Sequence, residues 1–119
     1  MIYVVIGRVD KSKQVAKIGY SKHPEKRIKE IQGMCPLKLE LICTFKGNYE
    51  TESALHYYFR DKKLPYTKEW FKVEGELKNI IQHYRGNNSN PKSVQDFLIK
   101  GVGGKKKARD KLRSLQTNL

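Results

Sequence analysis

Ile2-Tyr3-Val4-Val5-Ile6, then Ala16-Lys17-Ile18-Gly19-Tyr20-Ser21, then Pro24-Glu25-Lys26-Arg27 are the pieces of residues 2–27 on which the reading of this chain turns. β-Branched and aromatic residues fill 2–8 and favour a strand. Asp10-Lys11-Ser12-Lys13 is a polar turn, so Val15 to Ile18 returns as the antiparallel partner. Gly19 ends that strand at a point where a side chain would obstruct close approach of backbone or ligand. Ser21 to His23 offer N-caps, Pro24 suits the first helical position, and Arg27, Ile28 and Ile31 recur at helical spacing until Gly33 closes the helix. Strand, hairpin, strand and helix thus bring a tyrosine, a lysine and an arginine to one end of a single unit.

Downstream, Leu37, Leu39, Leu41, Cys43 and Phe45 alternate with Lys38, Glu40, Ile42 and Thr44, the clearest period of two in the chain. Gly47-Asn48 is a turn, and residues 50–60 read as a helix with Ala54, Leu55, Tyr58 and Phe59 facing a core. Glu52 and His56 stand four apart on one face of it. Leu64-Pro65-Tyr66 breaks that helix, Glu69 to Val73 is a short strand, and Glu76 to Tyr84 is a helix. The expected fold class is α/β of the α+β kind: a small central antiparallel sheet of three to four strands, flanked by helices. Residues 1–85 form the domain, the Gly/Asn/Pro-rich stretch 86–92 a linker. Residues 93–119 form a basic helical extension, with one short apolar helix at Val94 to Ile99 and a basic helix from Lys105 to Leu115.

The chain has 119 residues, with 25 Lys and Arg against 12 Asp and Glu, for a net charge of +13. That excess on a small domain points to a polyanion, DNA first and RNA not excluded. A membrane surface fits poorly, because the helix from Lys105 carries too few large apolar residues. Cys35 and Cys43 have neither CxxC spacing nor the look of a disulfide framework, and free thiols in a reducing compartment are expected. The apolar start is too short for a signal peptide, and no run reaches the roughly 20 apolar residues of a membrane span. A cytoplasmic protein is expected.

Cutting a phosphodiester requires a base for the attacking water, a cation on the scissile phosphate and help for the leaving oxygen. Tyr3 can act as the base if a nearby cation favours its phenolate, and Lys17 on the adjacent strand is the natural source of that charge. Arg27 offers a planar fork matched to phosphate oxygens. Glu52 can hold a divalent ion through one carboxylate plus waters. Taken singly, each residue more often has a structural role: a core tyrosine, a salt-bridged arginine, a surface Glu–His pair.

As an ordered set, Ile2-Tyr3-Val4, Lys17-Ile18-Gly19-Tyr20-Ser21, Pro24-Glu25-Lys26-Arg27, Glu52-Ser53-Ala54-Leu55-His56 and Glu69-Trp70-Phe71 resemble the GIY-YIG nuclease superfamily over roughly residues 1–75. The resemblance is to the phage-associated branch whose second motif begins with Lys rather than Tyr. It implies a one-metal hydrolytic endonuclease using Mg²⁺ or Mn²⁺. Tyr3 would be the general base, Lys17 would replace the second motif's tyrosine, Arg27 would contact the scissile phosphate, and Glu52 would be the metal-binding carboxylate. His56 would support them. Met1 stands where the first motif has glycine, and the Lys17 replacement leaves open which group moves the proton. Glu50 is a rival to Glu52, which is preferred because it shares a helical face with His56. Lys22, Lys26 and Lys29 supply basic surface beside this set.

Ile99 to Ala108 resembles a helix-hairpin-helix DNA-binding turn, imperfectly, because Ala108 falls one residue late. A basic tail that tracks phosphate non-specifically is the alternative. Lys105, Lys106, Lys107 and Arg109 favour nucleic acid in both cases. A non-catalytic nucleic-acid-binding or inhibitory protein retaining the nuclease fold is the other functional reading.

Overall fold

A computed structural model describes residues 1–87 and 89–102. The β1 strand (Ile2–Arg8) turns back into β2 (Gln14–Tyr20) through a hairpin whose Asp10 carboxylate accepts from the backbone N–H groups of Ser12 and Lys13 at 2.7 and 2.8 Å. An acidic side chain satisfying turn amides in this way is the usual reason for Asp at such a corner. The remaining elements are α1 (Pro24–Met34), β3 (Leu39–Phe45), α2 (Tyr49–Tyr58), β4 (Trp70–Lys72), α3 (Gly75–Tyr84) and α4 (Val94–Ile99). The sheet is fully antiparallel in the order β3-β1-β2-β4.

Because side chains alternate across a strand, β1 is buried on both faces. Ile2, Val4 and Ile6 join Leu55, Phe59, Ile80 and Phe97 in the main core, so α2, α3 and α4 cover one face. Tyr3 and Val5 point the other way and meet Ile31 of α1. That second, thinner layer carries the candidate site.

The strict alternation expected in β3 breaks at one residue. Val4 is opposite Cys43 but Val5 is opposite Leu41, so Ile42 is an extra residue in a bulge. The bulge turns Ile42 into the core (7 % exposed) and leaves Leu41 on the α1 side of the sheet at 44 % exposed. Gly33 does not close α1, which continues to Met34. The stop comes from Cys35, extended ahead of Pro36 as the residue before proline prefers. The Gln32 side chain then fastens the exit, donating to the Leu37 carbonyl and accepting from the Leu39 amide.

α2 starts at Tyr49 because Asn48 and Thr51 form a reciprocal capping box. It ends at Tyr58, and Arg60–Lys62 forms a separate 3-10 turn. β4 is shorter than expected, pairing only Val15 to Lys17 with Trp70 to Lys72. Ahead of α4, Pro91 is buried, and the Asn90 side chain accepts from the Thr44 amide at 3.1 Å. The α4 helix is capped by Ser93 and packs Phe97 on Phe45 (ring centroids 4.8 Å apart), so Phe97 and Leu98 are part of the main core and Val94 packs against it.

The basic helix from Lys105, the putting-together of a glycine turn through Gly103 and Gly104, and Lys105, Lys106, Lys107 and Arg109 lie outside the described residues. Cys35 and Cys43 are free, and burial pushes the Cys43 thiol up to about 12, which makes it unreactive. Among the described residues no helix is long and apolar enough to cross a membrane.

Candidate active site

Tyr3 is 2 % exposed and stands opposite Gly19 in the β1–β2 register. A Cβ at Gly19 would lie 2.5 Å from Tyr3 Cζ, so the ring occupies the space that a side chain would take. The glycine that ends the motif therefore admits the tyrosine. Arg27, one turn into α1, opposes the upward shift that burial gives the Tyr3 hydroxyl, and its Nη1 lies 3.3 Å from Glu30 Oε2. Helix α1 is delivered here by Pro24 at its first turn. His23 is the N-cap without a side-chain bond, and Ser21 Oγ accepts from the His23 amide.

Lys17 is on the same face of β2 as Gly19, two residues away, and only 6 % exposed. The sequence suggested that its charge would lower the pKa of Tyr3, but the structure gives it other partners. Its Nζ forms an ion pair with Glu69 and lies 5.8 Å from the centre of the Trp70 ring. The register explains this: Lys17 is directly opposite Trp70, and the Ile18 amide donates to the Glu69 carbonyl, so β4 carries the carboxylate to Lys17. Tyr3 answers instead to Arg27 and Glu52. Burial raises its pKa above 10.0 most strongly; the hydrogen bond and charge of Arg27 oppose that, and Glu52 adds to it. Lys17 is held below its usual value by burial and by Arg27, against the pull of Glu52.

Glu52 sits one turn into α2, half-buried, where its charge reaches both Tyr3 and Lys17. Glu50 is exposed. The capping box sets this placement, since Asn48 fixes where the helix begins and its carbonyl accepts from the Glu52 amide at 3.0 Å. His56 stands one turn further along the same face. Its Nε2 is 2.7 Å from the Ile18 carbonyl oxygen, which obliges that nitrogen to carry the proton and donate. It thus secures α2, the helix that carries Glu52, to the edge of β2 beyond the reach of β4.

Lys22, Lys26 and Lys29 are exposed around the first turns of α1. Lys22 and Lys26 border a cleft of about 670 Å³ beside Met1, His23 and Thr44. Sequence reasoning missed Glu69 and Trp70 as partners of Lys17. The signal was present in the short strand at 69–73, whose antiparallel pairing with 15–17 would have set them side by side.

Among the described residues no group of three or more His, Cys, Asp or Glu side chains is assembled. That excludes a protein cage there, but not a hydrated ion. Also among the described residues, the Glu52 carboxylate takes part in no ion pair and no side-chain hydrogen bond. One free, half-buried carboxylate suits Mg²⁺, which keeps most of its waters and binds through one or two carboxylates plus substrate phosphate.

The chain belongs to the T5orf172 domain family, whose model matches residues 1–88 and so spans every residue of this site. The domain is phage-associated and is linked with nuclease-like proteins. No curated protein and no solved structure matches the chain.

Proposed function

We propose that this T5orf172 domain is a GIY-YIG-type endonuclease that hydrolyses phosphodiester bonds in DNA with Mg²⁺ or Mn²⁺. The observation that carries the reading is the grouping of Tyr3, Lys17, Arg27 and Glu52, drawn from β1, β2, α1 and α2, in which Arg27 and Glu52 each act on both Tyr3 and Lys17. A binding surface alone has no use for a free carboxylate beside two cations that would grip phosphate.

In this reading Arg27 holds the non-bridging oxygens of the scissile phosphate, and Lys17 adds charge from below while Glu69 keeps it ordered. Tyr3 takes the proton of the attacking water as the new P–O bond forms and the bond to the leaving oxygen breaks. An ion on Glu52 would supply Lewis acidity to the phosphate and its leaving oxygen. His56 and the capping box keep Glu52 in place.

A nucleic-acid binder without turnover is the second reading, favoured by one observation: burial raises the Tyr3 pKa, which disfavours phenolate. The two separate in a nicking assay on supercoiled plasmid with Mg²⁺, Mn²⁺ or EDTA. Nuclease action gives metal-dependent nicking that Glu52→Ala abolishes, while binding stays intact or tightens as negative charge is lost near phosphate. Binding without cleavage by wild type, on RNA and branched DNA as well, would establish the binder.

A further inference from the structure

Beside the site, on the same face of the sheet, lies a second feature that the chemistry above does not use. It is a cleft of about 420 Å³ between the end of α1, the β1–β2 hairpin and the edge of β4, bordered by Val9, Val15, Ile31, Met34, Leu64 and Trp70. Its mouth leaves Met34 74 % exposed and Val9 54 % exposed, an unusual grouping of apolar side chains on so polar a chain.

Two links join this cleft to the site. Trp70 borders the cleft and also lies against Lys17 Nζ. Along α1, Arg27, Ile31 and Met34 follow at four and three residues on one helix face, so the apolar wall begins one turn, about 6 Å, beyond the phosphate-binding guanidinium. A ligand crossing this surface therefore meets charge first and an apolar, aromatic-edged slot next. A nucleotide has that order: phosphate, then base. Bases stack on aromatic side chains without regard to sequence, and the cleft walls offer few polar side chains that would read base edges.

We propose that this cleft receives a nucleobase unstacked from the strand next to the phosphate held by Arg27 and Lys17, so that the substrate is single-stranded or locally unpaired nucleic acid. The inference rests on the nuclease reading only for the location of the phosphate. A duplex would have to break stacking and pairing to fill the cleft, at a cost of a few kcal/mol. A frayed, looped or displaced strand is bound with that cost already met.

Trp70 is the chain's one tryptophan and hence a built-in reporter. Intrinsic fluorescence of the 119-residue Glu52→Gln protein in EDTA is followed against oligothymidylate, the same strand with tetrahydrofuran in place of every base, and a blunt linear duplex. Anisotropy of end-labelled strands reports binding in parallel. The base-bearing single strand should quench or shift Trp70 emission; the abasic strand should bind through its phosphates and leave it unchanged. Met34→Gln, which adds no charge at an exposed position, should weaken oligothymidylate binding about tenfold, within the range for losing one stacked base, and leave abasic binding alone.

Equal responses to abasic and base-bearing strands would overturn the proposal. So would a duplex bound as tightly as the single strand, or no binding to any of the three. Absence of cleavage by the wild-type protein with Mg²⁺ or Mn²⁺ on every substrate, with the Trp70 response of Glu52→Gln intact, would instead remove the nuclease reading and leave the base cleft standing.

Discussion

At the scale of residues, the site is governed by who neighbours whom across the sheet. Tyr3 is buried against Gly19, and burial lifts its pKa above 10.0 in spite of Arg27. A base whose neutral form is favoured gains its active phenolate fraction about tenfold per pH unit as pH rises towards its pKa. In the nuclease reading, kcat/KM measured on a nicked-plasmid assay should climb through about pH 9 with no plateau below it. A plateau near neutrality would assign proton transfer to another group. Lys17 invites a different measurement. It is 6 % exposed and its partner Glu69 is half-exposed, so the two ends of the ion pair are unequal. Glu69→Ala strands a buried charge, whereas Lys17→Met replaces that charge with an apolar side chain of similar length. Urea unfolding should find Glu69→Ala the less stable of the two, by roughly 1–2 kcal/mol after allowance for solvent at Glu69. The reverse order would show that the pair does not compensate the burial of Lys17.

At the scale of elements, α2 is a lever whose origin and anchor are both identifiable. Asn48 fixes its first turn, His56 fastens it to the Ile18 carbonyl, and Glu52 lies between them. Asn48→Ala should cost about 1 kcal/mol of stability in thermal or urea unfolding. It should lower nicking by more than that loss of folded protein accounts for, because the first turn of α2 carries Glu52. Activity falling only in step with the folded fraction would show that the cap does not set the position of Glu52. Much of this was legible in the sequence: the hairpin, Pro24, the Glu52–His56 spacing and the apolar stripes of α2 and α3 are local signals, and local signals survive folding. What failed was non-local. Alternation in 37–45 was real, yet the β3 bulge at Ile42 depends on how β3 meets β1, and periodicity within one strand cannot show it. The partner of Lys17 likewise depends on β4 arriving from 52 residues away. The α4 helix was recognised as apolar, but that Phe97 would close the core over Phe45 is a fact of packing.

At the scale of the whole molecule, the candidate site and the C-terminal run of cations occupy different parts of the chain. The candidate site lies within residues 1–88, which the family model matches. Six of the 25 Lys and Arg follow residue 103: Lys105, Lys106, Lys107, Arg109, Lys111 and Arg113. Removing 103–119, which lie beyond the residues the family model matches, should weaken the grip on nucleic acid and leave the turnover of bound substrate unchanged. The form of that weakening is specific. Each phosphate neutralised by Lys or Arg contributes about 0.9 to the slope of log affinity against log salt on duplex DNA, and about 0.7 on single strands. Anisotropy titrations between about 50 and 200 mM salt should show the slope fall by at most about 5 on duplex and about 4 on a single strand. Lys22, Lys26 and Lys29 around α1 remain to carry the residual slope, so it should not vanish. An unchanged slope after deletion would mean that the six C-terminal cations do not touch phosphate, and that the charge steering substrate to Arg27 resides on the domain itself.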